Sequence, residues 1–132
     1  MSLYTKCIFC PKESTDGIRL SVMSRHTLND GRTIDPRITL ELYDEWQTIL
    51  APSPKLVGAY YRKEVPWEVF EKKYLEYLRT VRLQGEVEII ARRAFETDIT
   101  LLCVEETPQY CHRRLLAQEC QWHLPALEVL HK

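Results

Sequence analysis

The chain has 132 residues, of which 45% are hydrophobic and 28% are charged, and its formal net charge is −1. This length supports one domain with its own core, and the composition excludes an intrinsically disordered chain. Because 18 basic residues are balanced by 19 acidic ones, attraction of the whole surface to nucleic acid is excluded. Any anion must therefore be held by a local cluster.

The apolar segments and the cysteines indicate a cytoplasmic protein without a membrane partner. No run approaches the roughly 18 apolar residues that span a bilayer, and no apolar run typical of a signal peptide follows residues 1–6. The five cysteines are odd in number and irregularly spaced, which argues against a secreted disulfide framework. We expect their thiols to be core residues, metal ligands or nucleophiles.

The first half of the chain predicts a strand, a loop and a helix. The strand is indicated by apolar residues that alternate with their neighbours, namely Ile18, Leu20 and Val22. A polar loop over residues 24–35 follows, which is a common position for functional residues. Apolar residues at three- and four-residue spacing then predict a helix over residues 39–50, which Pro52 and Pro54 end.

The second half predicts three helices and two strands. Pro66 stands in the first turn of a helix over residues 66–83, and Gly85 separates it from another over residues 87–95. Residues 99–104 are nearly all apolar, which is typical of a central strand covered on both faces. A helix over residues 108–121, with Thr107 as its N-cap, and a strand over residues 127–130 complete a β-α-β unit, which implies a parallel pair.

These elements predict a three-layer α/β domain with a small, mainly parallel sheet flanked by helices. We assign this single domain to residues 16–132. Residues 1–15, which contain a Cys-x-x-Cys motif, are interpreted as an N-terminal extension.

A candidate site lies where the predicted strand over residues 99–104 ends and the next helix begins. In open α/β sheets, ligands bind beyond the carboxyl ends of strands, beside helix N-termini. Cys103 and Glu105 leave the strand there, and Cys111, His112 and Arg113 lie in the first turns of the helix. We therefore expect two thiols, an imidazole and a carboxylate to lie close together beside a guanidinium.

Three chemistries suit this set of side chains. Cys111 could act as a nucleophile or substrate contact, with His112 and Glu105 transferring protons and Cys103 beside them. Arg113, with Arg25, could hold a phosphate or carboxylate. The two thiols with His112 could bind a metal. Plain packing also stays open, because cysteine and inward-facing histidine are common in cores.

The same residues resemble the domain-of-unknown-function family numbered four-eighty-eight. Its members have a strand that ends in Cys-x-Glu, here Cys103 to Glu105, and a helix that opens with Cys-His-Arg, here Cys111 to Arg113. Further similarity lies at residues 16–19, Arg25, residues 50–53, Trp67, Glu68, Phe70 and Tyr74. The resemblance covers about residues 16–131 and implies a small α/β fold, an intracellular location and no established activity.

The N-terminal cysteines suggest a second candidate site. Cys7 and Cys10 have the spacing of a zinc knuckle or a redox pair, and Cys120 and His123 are also separated by two residues. If the N-terminus folds against that end of the helix, these four residues complete a Cys3His zinc site, so zinc is a candidate cofactor. A free or weakly metal-binding pair and a disulfide are the alternatives.

Basic and aromatic residues form a third candidate. Arg25 and His26 leave the first predicted strand, and with Arg19 and Tyr60 they could line a pocket for a nucleotide or the end of a nucleic acid. Solvated loop charge is the alternative.

Together these features lead to one functional hypothesis with two alternatives. The hypothesis is an enzyme that acts on a phosphorylated or nucleotide-like anion. The alternatives are a non-catalytic module that binds nucleotide or nucleic acid, and a zinc-stabilised scaffold protein. The sequence leaves open whether the protein is an enzyme.

Overall fold

The computed structural model describes all 132 residues, and its centre is one sheet of five strands. The strands are β1 (Ser2–Cys7), β2 (Ile18–Ser21), β3 (Glu45–Trp46), β4 (Ile99–Cys103) and β5 (Glu128–His131). They are ordered β3-β2-β4-β1-β5, and every neighbouring pair is parallel. The predicted α/β fold with a parallel sheet is confirmed. Because all strands point the same way, their carboxyl ends meet at one edge, which we call the carboxyl edge.

Four helices lie on one side of the sheet, and two of them, the third and fourth, pack directly against its strands. They are α1 (Pro54–Tyr61), α2 (Trp67–Leu78), α3 (Val81–Glu96) and α4 (His112–His123). Alternate strand residues such as Leu3, Leu20 and Leu101 share one apolar core with Ile90 and Leu116 from the helices. None of the helices has both the length and the apolar character needed to cross a membrane.

The other face of the sheet is covered by irregular segments instead of helices. Thr100 donates a hydrogen bond to the carbonyl of Asp16 at 2.7 Å, and Arg19 donates to the carbonyls of Ile8, Cys10 and Leu42. The connection between β1 and β2 has only ten residues, which include a short 3₁₀ helix, Ser14–Asp16. A crossover between parallel strands usually takes a dozen or more residues when it contains a full helix.

A buried network of charges joins this cover to the sheet. The fully buried carboxylate of Asp16 accepts hydrogen bonds from Arg19 Nη1 at 2.7 Å and from Lys6 Nζ at 3.0 Å. Burial by itself would raise the pKa of Asp16. Hydrogen bonds from the backbone of Glu13, from Arg19 and from Lys6 outweigh burial and lower that pKa.

Residues 1–15 are part of the domain and not an extension. They contain β1, which lies between β4 and β5 in the sheet. The sequence conceals this strand because Lys6, which looks like a surface residue, is buried by its ion pairs with Asp16 and Glu13. Asp16 and Glu13 lie in the segment that covers the sheet, and no local sequence pattern predicts that they pair with Lys6.

The helix predicted over residues 39–50 is wrong. The chain there forms β3 and a 3₁₀ helix, Thr48–Leu50. Two of the apolar residues at helical spacing, Tyr43 and Trp46, pack around the ring of His26, at centroid distances of 4.9 and 3.8 Å. The spacing therefore comes from packing on a residue far from the segment and not from a helix face.

One helix was missed, and the boundaries of the other three differ from prediction. Helix α1 was missed, although Ser53 caps it by accepting a hydrogen bond from the backbone of Leu56 and proline occupies its first turn. Helix α3 runs through Gly85, because one glycine in an exposed helix costs only about 1 kcal/mol. Helix α4 begins after Cys111 and not after Thr107, since Cys111 N–H donates to the Pro108 carbonyl in a preceding turn.

The substitution Asp16→Asn should lower the free energy of unfolding by about 3–5 kcal/mol, because it leaves Arg19 buried without a carboxylate and removes one of the two carboxylates that pair with Lys6. The folded-state pKa of Asp16 lies below its unfolded value of about 3.9. The wild-type contribution is therefore complete above that pH and is lost as the pH falls through the folded-state pKa. Urea unfolding from pH 7 to pH 3 measures both effects.

Glu88→Gln is the matched control, because Glu88 pairs with Arg92 on the exposed surface of α3. It should change the free energy of unfolding by less than about 0.5 kcal/mol. Equal losses in the two variants would contradict the structural role of the buried network.

Candidate functional site

The candidate site lies at the carboxyl edge, where the structure gathers the predicted residues. Cys103 ends β4, Cys111 is the N-cap of α4, and His112 and Arg113 form the first turn of that helix. The sulfur atoms of Cys103 and Cys111 and a ring nitrogen of His112 lie within 4.8 Å of one another. We call these three residues the thiol–imidazole group. All three side chains are buried.

A hydrogen bond to the backbone holds the His112 ring in one orientation. Its Nε2 lies 2.6 Å from the carbonyl oxygen of Val22, the residue that follows β2. Because a carbonyl can only accept, Nε2 carries a hydrogen. The other ring nitrogen, Nδ1, lies 3.7 Å from Cys103 Sγ. The ring of Tyr74 packs edge-on against the His112 ring, with the two ring centroids 5.5 Å apart.

The surroundings shift the pKa values of the two thiols in opposite directions. A hydrogen bond from Cys111 lowers the pKa of Cys103, assisted by the charge of Arg113 and opposed by burial. Burial raises the pKa of Cys111 well above its usual value, and the neighbouring Cys103 raises it further. Cys103 therefore ionises more readily than Cys111. The sequence analysis assigned the nucleophile to Cys111, and that role stays a prediction.

Arg113 is completely buried, yet it lacks a carboxylate partner. Its Nη1 donates to the carbonyl of Glu105 at 2.7 Å and to Cys111 Sγ at 3.3 Å. Its Nε and Nη2 have no hydrogen-bond partner. A buried donor without an acceptor costs about 1–3 kcal/mol, and more when the group is charged. These two nitrogens are therefore suited to bind an anion.

Tyr61 contacts Glu105, two residues beyond Cys103 in the chain, and we expect this contact to limit access to the two thiols. The Tyr61 hydroxyl donates to the Glu105 carboxylate. Burial, this hydrogen bond and the charges of Glu105, Cys103 and Cys111 together raise the pKa of Tyr61. Cys103 is only 4% exposed and Cys111 only 2%. Glu105, predicted to transfer protons, thus makes its side-chain hydrogen bond to Tyr61.

The basic and aromatic residues predicted to join the site are dispersed. Arg19 lies in the buried network beneath the opposite face of the sheet, and Arg25 is exposed and donates to the Gly31 carbonyl at 2.6 Å. His26 is buried against Trp46, and its Nε2 lies 2.8 Å from the Ser21 hydroxyl. Tyr60 packs among the aromatic rings of Tyr61, Trp67 and Phe70.

The structure does not assemble the predicted Cys3His zinc site. Cys7 ends β1 beside Cys103 at the carboxyl edge, with Cys10 in the turn after it. Cys120 and His123 lie at the other end of α4. The nine residues from Cys111 to Cys120 correspond to about 13 Å of helix, which separates the two pairs. All five cysteines are free thiols, and Cys120 is buried with its Sγ 3.7 Å from the Val87 carbonyl.

Two contacts of the site were missed by sequence reasoning. The Val22 carbonyl that orients His112 is 90 residues away in the chain, and Tyr61 is 44 residues from Glu105. Neither contact follows from local spacing, because both depend on which strands are neighbours and where α1 packs.

Fold and site define a small parallel α/β protein with a buried centre of two thiols and an imidazole at the carboxyl edge of its sheet. The family model DUF488-N3a, described as the active DUF488-N3 subclade, matches residues 3–122. The chain therefore belongs to the DUF488 family, and the resemblance found from the sequence is confirmed. No curated protein and no solved structure gives a significant match.

The substitution Tyr61→Phe should expose the thiols, because it removes the hydroxyl that donates to Glu105. We expect Cys103 and Cys111 to react faster with iodoacetamide in the folded protein, by about 3-fold to 10-fold if the lost bond is worth about 1 kcal/mol. Mass spectrometry of protein quenched after short reaction times measures the labelling of each cysteine.

Tyr77→Phe is the matched control, because Tyr77 is also exposed on a helix and donates to the Ile49 carbonyl, away from the thiols. It should leave the labelling of Cys103 and Cys111 unchanged. The covering role of Tyr61 is refuted if the two variants label alike.

Proposed function

We propose that the protein is an enzyme acting on a phosphorylated, nucleotide-like substrate, and that Arg113 holds the anionic group beside Cys103 and His112. The observation that carries the proposal is the fully buried Arg113 guanidinium, whose Nε and Nη2 have no partner. A phosphate oxygen would accept from both nitrogens and would bring a negative charge to the buried cation.

The start of α4 adds donors for the same anion. The first N–H groups of a helix have no partner within it, and the side chain of the N-cap, Cys111, makes no capping hydrogen bond. An arginine in the first turn of a helix is electrostatically unfavourable by itself, because that end carries a partial positive charge. An anion between Arg113 and the helix start would remove this conflict.

The thiol–imidazole group supplies the reactive side chains of the proposed enzyme. Cys103 and His112 lie next to each other, and Cys111 beside them contacts the guanidinium of Arg113, which gives the grouping of reactive and anion-binding side chains that an active site requires. The description of the matching family model as the active subclade also supports an enzyme. The nucleic-acid alternative has less support, because Arg19 and Arg25 do not lie beside Arg113.

The substitution Arg113→Met should abolish anion binding without unfolding the protein. In chelator-treated wild-type protein, inorganic phosphate should raise the melting temperature. When the phosphate concentration is a hundred times its Kd, the free energy of unfolding should increase by about 2.7 kcal/mol. The variant should show no such shift. Removal of one partner of a buried ion pair usually lowers the free energy of unfolding by about 3–5 kcal/mol. Arg113→Met should not cause a loss of this size, because Arg113 has no carboxylate partner. Thermal unfolding in phosphate and in chloride of equal ionic strength measures both.

Arg114→Gln is the control for Arg113→Met. Arg114 is the next residue of α4, but it donates to the carbonyls of Pro108 and Gln109. Its variant should keep the phosphate-induced shift, even if it is less stable. Stabilisation of Arg113→Met by phosphate to the wild-type extent would contradict the proposed anion site.

Catalysis has its own test. Wild-type protein should turn over at least one compound in a panel of phosphomonoesters, phosphodiesters and nucleotides. Cys103→Ala and His112→Gln should lower that turnover by at least about 100-fold, the usual effect of losing an acid–base or nucleophilic group. Cys120→Ala, which removes a buried thiol elsewhere on α4, should keep it. Phosphate binding without turnover of any compound would indicate a non-catalytic binding module.

A further inference from the structure

We propose that Cys103, Cys111 and His112 are three ligands of a thiophilic divalent metal ion such as Zn²⁺. The inference concerns the same site as the proposed function, and it rests on that function only for the identity of the fourth ligand. It takes up one of the three chemistries that the sequence analysis left open for these residues, and it differs from the Cys3His zinc site predicted there, which used Cys7, Cys10, Cys120 and His123.

The donor atoms have the chemistry and spacing of a tetrahedral zinc site. Zinc binds thiolate sulfur at about 2.3 Å and imidazole nitrogen at about 2.0–2.1 Å, so tetrahedral ligands of these types lie about 3.6–3.8 Å apart. Cys103 Sγ and His112 Nδ1 are 3.7 Å apart, and all three donor atoms lie within 4.8 Å of one another. A small contraction would therefore bring them to one metal ion.

The surroundings of His112 are those of a metal ligand. Histidines that bind metal usually donate their second ring N–H to a carbonyl or carboxylate, which fixes the tautomer. Here Nε2 donates to the Val22 carbonyl at 2.6 Å, which leaves Nδ1 as the nitrogen with a free lone pair on the side of Cys103. The hydrogen bond from Arg113 Nη1 to Cys111 Sγ similarly supports a ligand sulfur.

Counting charges connects the metal with the proposed anion. A divalent ion with two thiolates and a neutral imidazole has no net charge, so Arg113 beside it would still be an uncompensated cation. An anionic fourth ligand would balance that charge and could also accept from Arg113 Nε and Nη2. Three protein ligands with one position for water or substrate are the usual arrangement of catalytic zinc, which acts as a Lewis acid.

The N-terminal cysteines are a poorer metal site. The thiol of Cys7 is directed at the Val104 carbonyl, 3.4 Å away, and Cys10 is only partly buried. No third histidine, cysteine or carboxylate joins these two residues in a compact group, since the one such group in the structure is Cys103, Cys111 and His112.

Titration of the reduced, metal-free protein with Co²⁺ tests the inference. We expect equimolar binding, with thiolate-to-cobalt charge-transfer absorption in the near ultraviolet and the visible bands of tetrahedral cobalt, and displacement by Zn²⁺. Cys103→Ser, Cys111→Ser and His112→Gln should each weaken binding by at least about 10-fold. Cys10→Ser, which alters the nearby Cys-x-x-Cys motif, should bind cobalt like the wild type.

X-ray absorption at the zinc edge of the wild-type protein guards against variants that do not fold. It should show two sulfur ligands, with nitrogen or oxygen completing the shell. Absence of equimolar binding, or loss of binding in Cys10→Ser but not in Cys111→Ser, would overturn the inference. Phosphate stabilisation is measured in chelator-treated protein, so a protein that binds phosphate but no metal refutes the metal site alone. Metal binding without a phosphate response refutes the anion site alone.

Discussion

The parallel pairing of β4 with β1 on one side and β2 on the other is the constraint on which the site depends. It brings the ends of three strands to one edge, so that Cys103 lies between Cys7 and the chain that leaves β2. The Val22 carbonyl beyond β2 can then orient His112, which starts the helix that follows β4. Each group stands at the end of a hydrogen-bonded element, which gives the site the rigidity that preorganised chemistry needs.

Two arginines buried by the same sheet show how a structural charge differs from a functional one. Arg19 has the Asp16 carboxylate and three backbone carbonyls as acceptors, so its burial is compensated within the fold. Arg113 is equally buried, but it has one carbonyl, one sulfur atom and two nitrogens without partners. A buried charged group with unpaired nitrogens lowers the stability of the fold, and such groups usually occur at sites that bind ligands.

Features of the fold that depend on contacts between residues close in the chain could be predicted, and features that depend on distant contacts could not. The β4 strand and the position of the site at its end were predicted correctly, because a continuous apolar run and the rule for carboxyl ends of strands are local signals. Strand β1 was missed because Lys6 is buried through ion pairs with the covering segment. The segment over residues 39–50 was misread because its aromatic residues pack on His26. The unpaired nitrogens of Arg113 appear only once every neighbour has been placed.

Glu105 connects the cover of the site with its cation. Its carboxylate accepts from Tyr61 and its backbone carbonyl accepts from Arg113 Nη1, so one residue holds both groups. Displacement of this residue would open the way to the thiols and, in the same movement, leave Arg113 Nη1 without its only oxygen acceptor. Access and affinity would then increase together, and an arriving anion could take the position of the Glu105 carbonyl. A single loop residue would thus make the entry of a ligand and its capture one event.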